Sequence, residues 1–234
     1  MNAKNKSIIG KQNNQYGLFG VVLVLAAIAL VFVVEQIIQP GYWIKSVIKA
    51  SAFLGTIFIY SLFTKTKLCE TLGLYKLKKA KPLLLCMLLF FAGIAIMFFA
   101  FRDQLDLTNI KHNLMEKENL TKENCLFVFS YIIFCNSFLE ESFFRGFIFR
   151  RFENKMVGAI FSAVLFSVYH IGIFITWFNP FIFSLSLVGL AAVGLFLQWL
   201  AGKYNTILAS YITHACANIA INIIGILLIF EVIR

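Results

Sequence analysis

The fold class this sequence predicts is all-α: a polytopic membrane bundle of about seven transmembrane helices around a polar site inside the membrane. Three observations predict it. Of the 234 residues, 60% are apolar, 16% aromatic and only 14% charged, far from the roughly 45–50% apolar and 25% charged of soluble domains. At about 20 apolar residues per bilayer crossing, that length holds seven or eight crossings and no sizeable soluble domain. The third observation is a small set of ionisable side chains lodged inside otherwise apolar segments. This composition excludes a disordered chain, a disulfide-stapled secreted module and a nucleic-acid-binding domain. The net charge of +10 is explained by loops that face the cytoplasm. Cys69, Cys86, Cys125, Cys135 and Cys216 show no C-x-x-C spacing and read as free thiols.

Residues 1–16 form a polar tail with Lys4, Lys6 and Lys11, and residues 17–38 the first crossing. This apolar run is longer than the h-region of a signal peptide and no small-residue cleavage site follows it, so it reads as a retained helix. Pro40 and Gly41 mark a turn. Helix two spans about 42–63 and helix three about 82–101, its Pro82 suited to a first-turn position. Between them lies a basic loop with Lys65, Lys67, Lys76, Lys78, Lys79 and Lys81 against Glu70. The connection 102–123 is close to neutral. Helix four covers about 125–144 and is followed by an Arg-rich turn; helix five covers about 157–177. Asn179 and Pro180 interrupt the chain before helix six at about 181–201, and a turn at 202–205 precedes helix seven at about 206–230.

With a cytoplasmic N-terminus, most basic residues fall inside: the tail, the loop after helix two, the Arg-rich turn and Lys203. Lys45, Arg102, Lys111, Lys117, Lys122 and Arg234 fall outside. This asymmetry predicts an N-in, C-out chain, with an eighth crossing or a re-entrant segment as the alternative.

Charged groups within a bilayer cost at least about 2.5–3.5 kcal/mol on insertion scales, so those that persist are functional candidates. Glu35 and Lys49 lie near the outer interface and are explained by snorkelling. Glu140 and Glu141 are adjacent in helix four. Glu141 and Arg145 stand at i and i+4, in the favourable order for an ion pair, and Glu140 points to a different face. That predicts a paired, structural Glu141 and a Glu140 free for chemistry; the alternative is a single charge-compensated knot with Arg145 and Arg150. His170 follows Phe166 by one turn in helix five. His214 and Asn218 share one face of helix seven, with Ala215 and Ala217 as small spacers. Together these residues place a carboxylate, two imidazoles and an amide on three helices, a constellation able to activate water.

The ordered set E-E-x-x-x-R at Glu140 to Arg145, F-x-x-x-H at Phe166 to His170 and H-x-x-x-N at His214 to Asn218 resembles the CPBP family of intramembrane proteases, also called the Abi or CAAX-protease family. The likeness covers roughly residues 125–225. It implies a polar intramembrane cavity open to the cytoplasm, with Glu140 and His170 activating water, His214 and Asn218 stabilising the oxyanion, and Glu141, Arg145 and Phe166 in support. The implied organisation is a cytoplasmic tail at 1–16, helices one to three with their loops at 17–124, and catalytic-core helices four to seven at 125–230.

The function expected from the resemblance is an intramembrane endopeptidase acting on a peptide or membrane-associated protein substrate, in bacteriocin processing, immunity or related work. A non-catalytic membrane immunity or regulatory partner remains open, as does a proton-coupled transporter that uses Glu140 and His170 as a relay. The intact motif set favours the enzyme, and the lack of an internal repeat argues against transport. No obligate cofactor is expected. H-E-x-x-H is absent, but Glu140, His170 and His214 are the zinc ligands to consider should a metal bind. The partners expected are the substrate and membrane lipid, with no nucleic acid, and the location is a bacterial cell membrane with the N-terminus cytoplasmic. Oligomeric state stays open.

Overall fold

A computed structural model describes residues 3–77 and 81–233, with the side chains of residues 3–16 excepted. Lys78, Lys79 and Arg234 of the charge pattern lie outside the described residues, and so do the side chains of Lys4, Lys6 and Lys11. Among the described residues there is no strand, and seven helices are long and apolar enough to cross a membrane. The chain is an all-α polytopic bundle.

Helix α1 (Ala3–Val33) runs from the polar tail into the first crossing and ends in a π-helical turn, Val34–Ile38. Helix α2 (Tyr42–Thr64) returns antiparallel to it. A short helix, α3 (Leu68–Leu72), then turns under the bundle, capped by Gly73 at φ 71°, a left-handed conformation that glycine adopts without steric cost. Helix α4 (Lys81–Phe101) packs along the last helix and turns Leu84, Leu85, Leu88 and Leu89 outward. Outside the membrane segments, α5 (Leu107–His112) closes one end of the bundle, with Leu107, Ile110 and Leu114 against Leu228 and Ile229. The site is built from the remaining helices: α6 (Cys125–Arg151), α7 (Lys155–Tyr169), the one-turn α8 (Ile171–Phe174), α9 (Pro180–Tyr204) and α10 (Ile207–Ile229).

Side-chain caps set the starts of α7, α9 and α10. Asn154 accepts from the amides of Met156 and Val157, Asn179 from that of Ile182 with Pro180 in the first turn, and Thr206 from that of Leu208. Each satisfies an amide that the first helical turn leaves without a carbonyl.

Two expectations are corrected. Helix four does not end at 144 in an Arg-rich turn. It continues to Arg151 through π-helical stretches at Ile132–Asn136 and Ser142–Ile148, so Arg145 is a buried helix residue and not a loop charge. Helix five does not run unbroken to 177. The His170 imidazole takes the Phe166 carbonyl at 2.7 Å, while the His170 amide bonds to Ser167 instead. A side chain that competes for the backbone acceptor one turn back ends the helix there.

Lipid is as apolar as the helix surfaces, so close packing and polar contacts hold such a bundle together. A Cβ on Gly194 would stand 3.1 Å from the Cα of Ala163, and one on Gly146 would stand 2.2 Å from the carbonyl oxygen of Leu72. The first contact lets α9 lie against α7, and the second seats α3 on α6. The aromatic core sits among α1, α2, α6 and α7. There Phe53 stacks on Phe143 at 3.9 Å and 4° and meets Phe144 edge-on.

Candidate active site

Glu140 and Glu141 lie in a regular helical turn, Ser137–Glu141, between the two π-helical stretches of α6. Such stretches offset the helical register and recur at functional sites. Both carboxylates are buried, at 2% and 0% exposure, and their side chains meet different partners.

Glu140 is held by one oxygen. Its Oε1 accepts from Asn136 Nδ2 at 2.8 Å and from the Tyr169 hydroxyl at 3.2 Å. Lys49 of α2 donates to that hydroxyl at 3.1 Å, and its Nζ stands 4.0 Å from Oε1. The other oxygen, Oε2, faces His214 Nε2 across 3.8 Å, beyond direct hydrogen-bond distance, so a water bonded to both atoms would sit to one side of the line joining them.

Glu141 Oε1 accepts from Arg145 Nη1 at 2.9 Å and from His214 Nδ1 at 2.9 Å. The guanidinium of Arg145 lies 4.2 Å over the Phe166 ring and donates to the Gly194 carbonyl at 3.5 Å, so the ring face and a backbone dipole share its charge with the carboxylate. Phe166 also meets the rings of His170 and His214 edge-on, at 4.6 and 5.9 Å. Arg150 does not join the cluster; it lies over Tyr75, 5.2 Å from the ring centroid. The two carboxylates share only His214, whose Nε2 faces Glu140 and whose Nδ1 meets Glu141; Arg145 belongs to Glu141 and Arg150 to neither.

The two imidazoles share a polarity. A carbonyl and a carboxylate can only accept, so Nδ1 carries the proton on both His170 and His214. In the neutral ring Nε2 is then left as an acceptor; on His214 this is the nitrogen facing Glu140. The His170 ring meets the Tyr169 ring at 4.8 Å, and the Tyr169 hydroxyl donates to Glu140.

Asn218, one turn beyond His214, donates to Ser137 Oγ at 2.8 Å, and Asn222 donates to the Phe129 carbonyl at 3.3 Å. His214, Asn218 and Asn222 thus form a polar ladder that fastens α10 to α6. Among the described residues no three His, Cys, Asp or Glu side chains are gathered so as to hold a metal ion; Glu140, His170 and His214 share a region without forming such a set.

The structure brings together Glu140, Glu141, Arg145, Phe166, His170 and His214, and ties Asn218 to α6 one turn before Glu141. Sequence reasoning missed Asn136, Tyr169 and the link from Glu141 to His214. Snorkelling does not describe Lys49, and Glu35, at the outer end as expected, is held by an ion pair. Lys49 turns inward to Tyr169, and Glu35 pairs at 3.1 Å with Lys45, which in turn pairs with Glu118 at 2.9 Å. The only available signal for Asn136 was its i, i+4 spacing to Glu140.

Residues 122–220 match the family model described as Type II CAAX prenyl endopeptidase Rce1-like. The match includes α6, α7, α9 and most of α10, with every motif residue named above, and leaves Lys49 outside. No curated protein and no solved structure matches the chain. A buried Glu-Glu-x-x-x-Arg turn facing two histidines on neighbouring membrane helices thus lies within a segment that matches the Rce1-like type II CAAX prenyl endopeptidase model, consistent with a CPBP-family intramembrane protease.

Proposed function

We propose that the protein is an endopeptidase that cleaves a membrane-associated peptide or protein within the bilayer, using a water activated by Glu140 and His170. The observation that carries this reading is the asymmetry of Glu140: Oε1 is tethered, and Oε2 is directed at His214 Nε2 across 3.8 Å. A water hydrogen-bonded beside this pair gives up its proton to Glu140 Oε2 or His170 Nε2 as its oxygen attacks the scissile carbonyl carbon. The same proton then passes to the leaving amine as the tetrahedral intermediate collapses.

The oxyanion takes hydrogen bonds from His214 Nε2–H and from Asn218. For that role His214 is the imidazolium, and the carboxylate of Glu141 on Nδ1 supports the cation and fixes the ring. Asn218 spends one amide hydrogen on Ser137 and keeps the other. Donors aimed at developing charge in a water-poor site are each worth about 10²–10³ in rate. The family match and the burial of the cluster among membrane helices support a lipid-anchored substrate of CAAX type.

The mechanism calls for no tightly held metal. Stoichiometric zinc whose chelation abolishes activity and whose return restores it would overturn that. The main test uses purified protein and an S-farnesylated peptide ending in Cys-aliphatic-aliphatic-X. Wild type should cleave it, and Glu140→Gln, folded by thermal unfolding in detergent, should be slower by at least about 10². Equal turnover by the two proteins would remove Glu140 as the base.

A further inference from the structure

Among the described residues, Lys49 is the one from the N-terminal half of the chain whose charge stands at the Glu140 carboxylate. It lies on α2, outside the matched segment, and its side chain is only 11% exposed. A lysine used only as a membrane anchor extends toward an interface; this one turns into the bundle. Its Nζ reaches the Tyr169 hydroxyl at 3.1 Å, and the hydroxyl passes its own hydrogen to Glu140 Oε1 at 3.2 Å.

The setting is rigid on both sides. Four residues along α2, Phe53 stacks on Phe143 and meets the Tyr169 ring at 5.7 Å. Tyr169 also touches Phe144 and His170, at 5.8 and 4.8 Å. With its ring fixed on three sides, the hydroxyl can satisfy Lys49 and Glu140 at once.

We infer that Lys49 and Tyr169 are positioning residues for the water-activating carboxylate: Lys49, acting through the Tyr169 hydroxyl, holds Oε1 and so keeps Oε2 turned toward His214. The inference rests on the reading of Glu140 as the base. It assigns α2 a part in the reaction that the motif-bearing helices do not show.

The test has a spectroscopic arm and a kinetic arm, both on the purified full chain. The infrared difference between wild type and Glu140→Gln isolates the Glu140 carboxylate stretch. Tyr169→Phe keeps the ring and removes only the hydroxyl; it should shift that band, Lys49→Met should shift it the same way, and the double variant should shift it no further. With the farnesylated peptide, each single variant should lower kcat by about tenfold or more with KM little changed, the double variant should be no slower than the worse single one, and Lys49→Arg should recover most of the rate. A band unmoved by Tyr169→Phe, or no carboxylate band at all, would overturn the inference, as would Lys49→Met turning over like wild type. If Lys49→Met fails to fold, Tyr169→Phe decides alone. Should Glu140→Gln cleave normally while the band shifts as expected, the base assignment falls and the hydrogen-bonded arm stands.

Discussion

A single oxygen of Glu141 serves both Arg145 and His214, each at 2.9 Å. Removing the charge therefore has two separable consequences. Glu141→Gln leaves a guanidinium that is 1% exposed without its counter-ion, and breaking a buried pair in this way costs about 3–5 kcal/mol; thermal unfolding in detergent should register the loss. Under the proposed mechanism the fraction that remains folded should also turn over more slowly, because the His214 ring loses the carboxylate that accepts from its Nδ1, as in a catalytic triad whose acid is neutralised. A variant with wild-type stability would rule out the buried pair, and one with reduced stability but normal kcat would rule out the link to His214. The contact of Glu141 with Arg145 could be read from the sequence, because i, i+4 spacing is local geometry. Its contact with His214 spans 73 residues, and that of Lys49 with Tyr169 spans 120; no periodicity encodes either. Its own helix therefore suggests only the nearest interface for Lys49.

At the level of elements, apolar run length located the seven crossings because a bilayer imposes one length on every helix. It could not locate changes of hydrogen-bond register inside a helix. Hydropathy averages over side chains, whereas the π-helical stretches of α6 and the break at His170 depend on which carbonyl each amide or imidazole takes. Helix α3 escaped for another reason: five residues in a lysine-rich loop are too few to show a period. Its seat nevertheless makes a sharp prediction. A methyl group at Gly146 would meet the Leu72 carbonyl oxygen at 2.2 Å, a backbone atom that has no alternative rotamer. Gly146→Ala should cost about 1–3 kcal/mol as overpacking and should increase proteolytic nicking between residues 65 and 77, which limited proteolysis would reveal. An unchanged digestion pattern and an unchanged unfolding temperature would mean that α3 does not rest on α6 in the membrane.

For the whole molecule, the loop that carries α3 is fastened at a second point. The Ile207 amide donates to the Gly73 carbonyl at 3.1 Å, and Thr206 exchanges hydrogen bonds with the backbone of Tyr75. The basic residues of this loop and Arg150, Arg151, Lys155 and Lys203 belong to connections on the same side of the bundle, counted by alternation of the crossings. The positive-inside rule predicts that this end faces the cytoplasm. Reporter fusions at residue 76 should be active only as cytoplasmic reporters, and fusions after residue 230 only as external ones; the reverse pattern would invert the bundle. The stack of Phe53 on Phe143 and the reach of Lys49 to Tyr169 join the leading helices to the motif-bearing ones at the carboxylate itself. Residues 122–220 are therefore not a portable cassette. Grafted behind foreign leading helices, they would carry the whole motif set and still lack the arm that aims it, unless the donor offered a cation and an aromatic ring four residues apart at the same depth. What the first half of this chain brings to the carboxylate is a spacing between two side chains, and a spacing of that kind leaves no signature for a motif search to find.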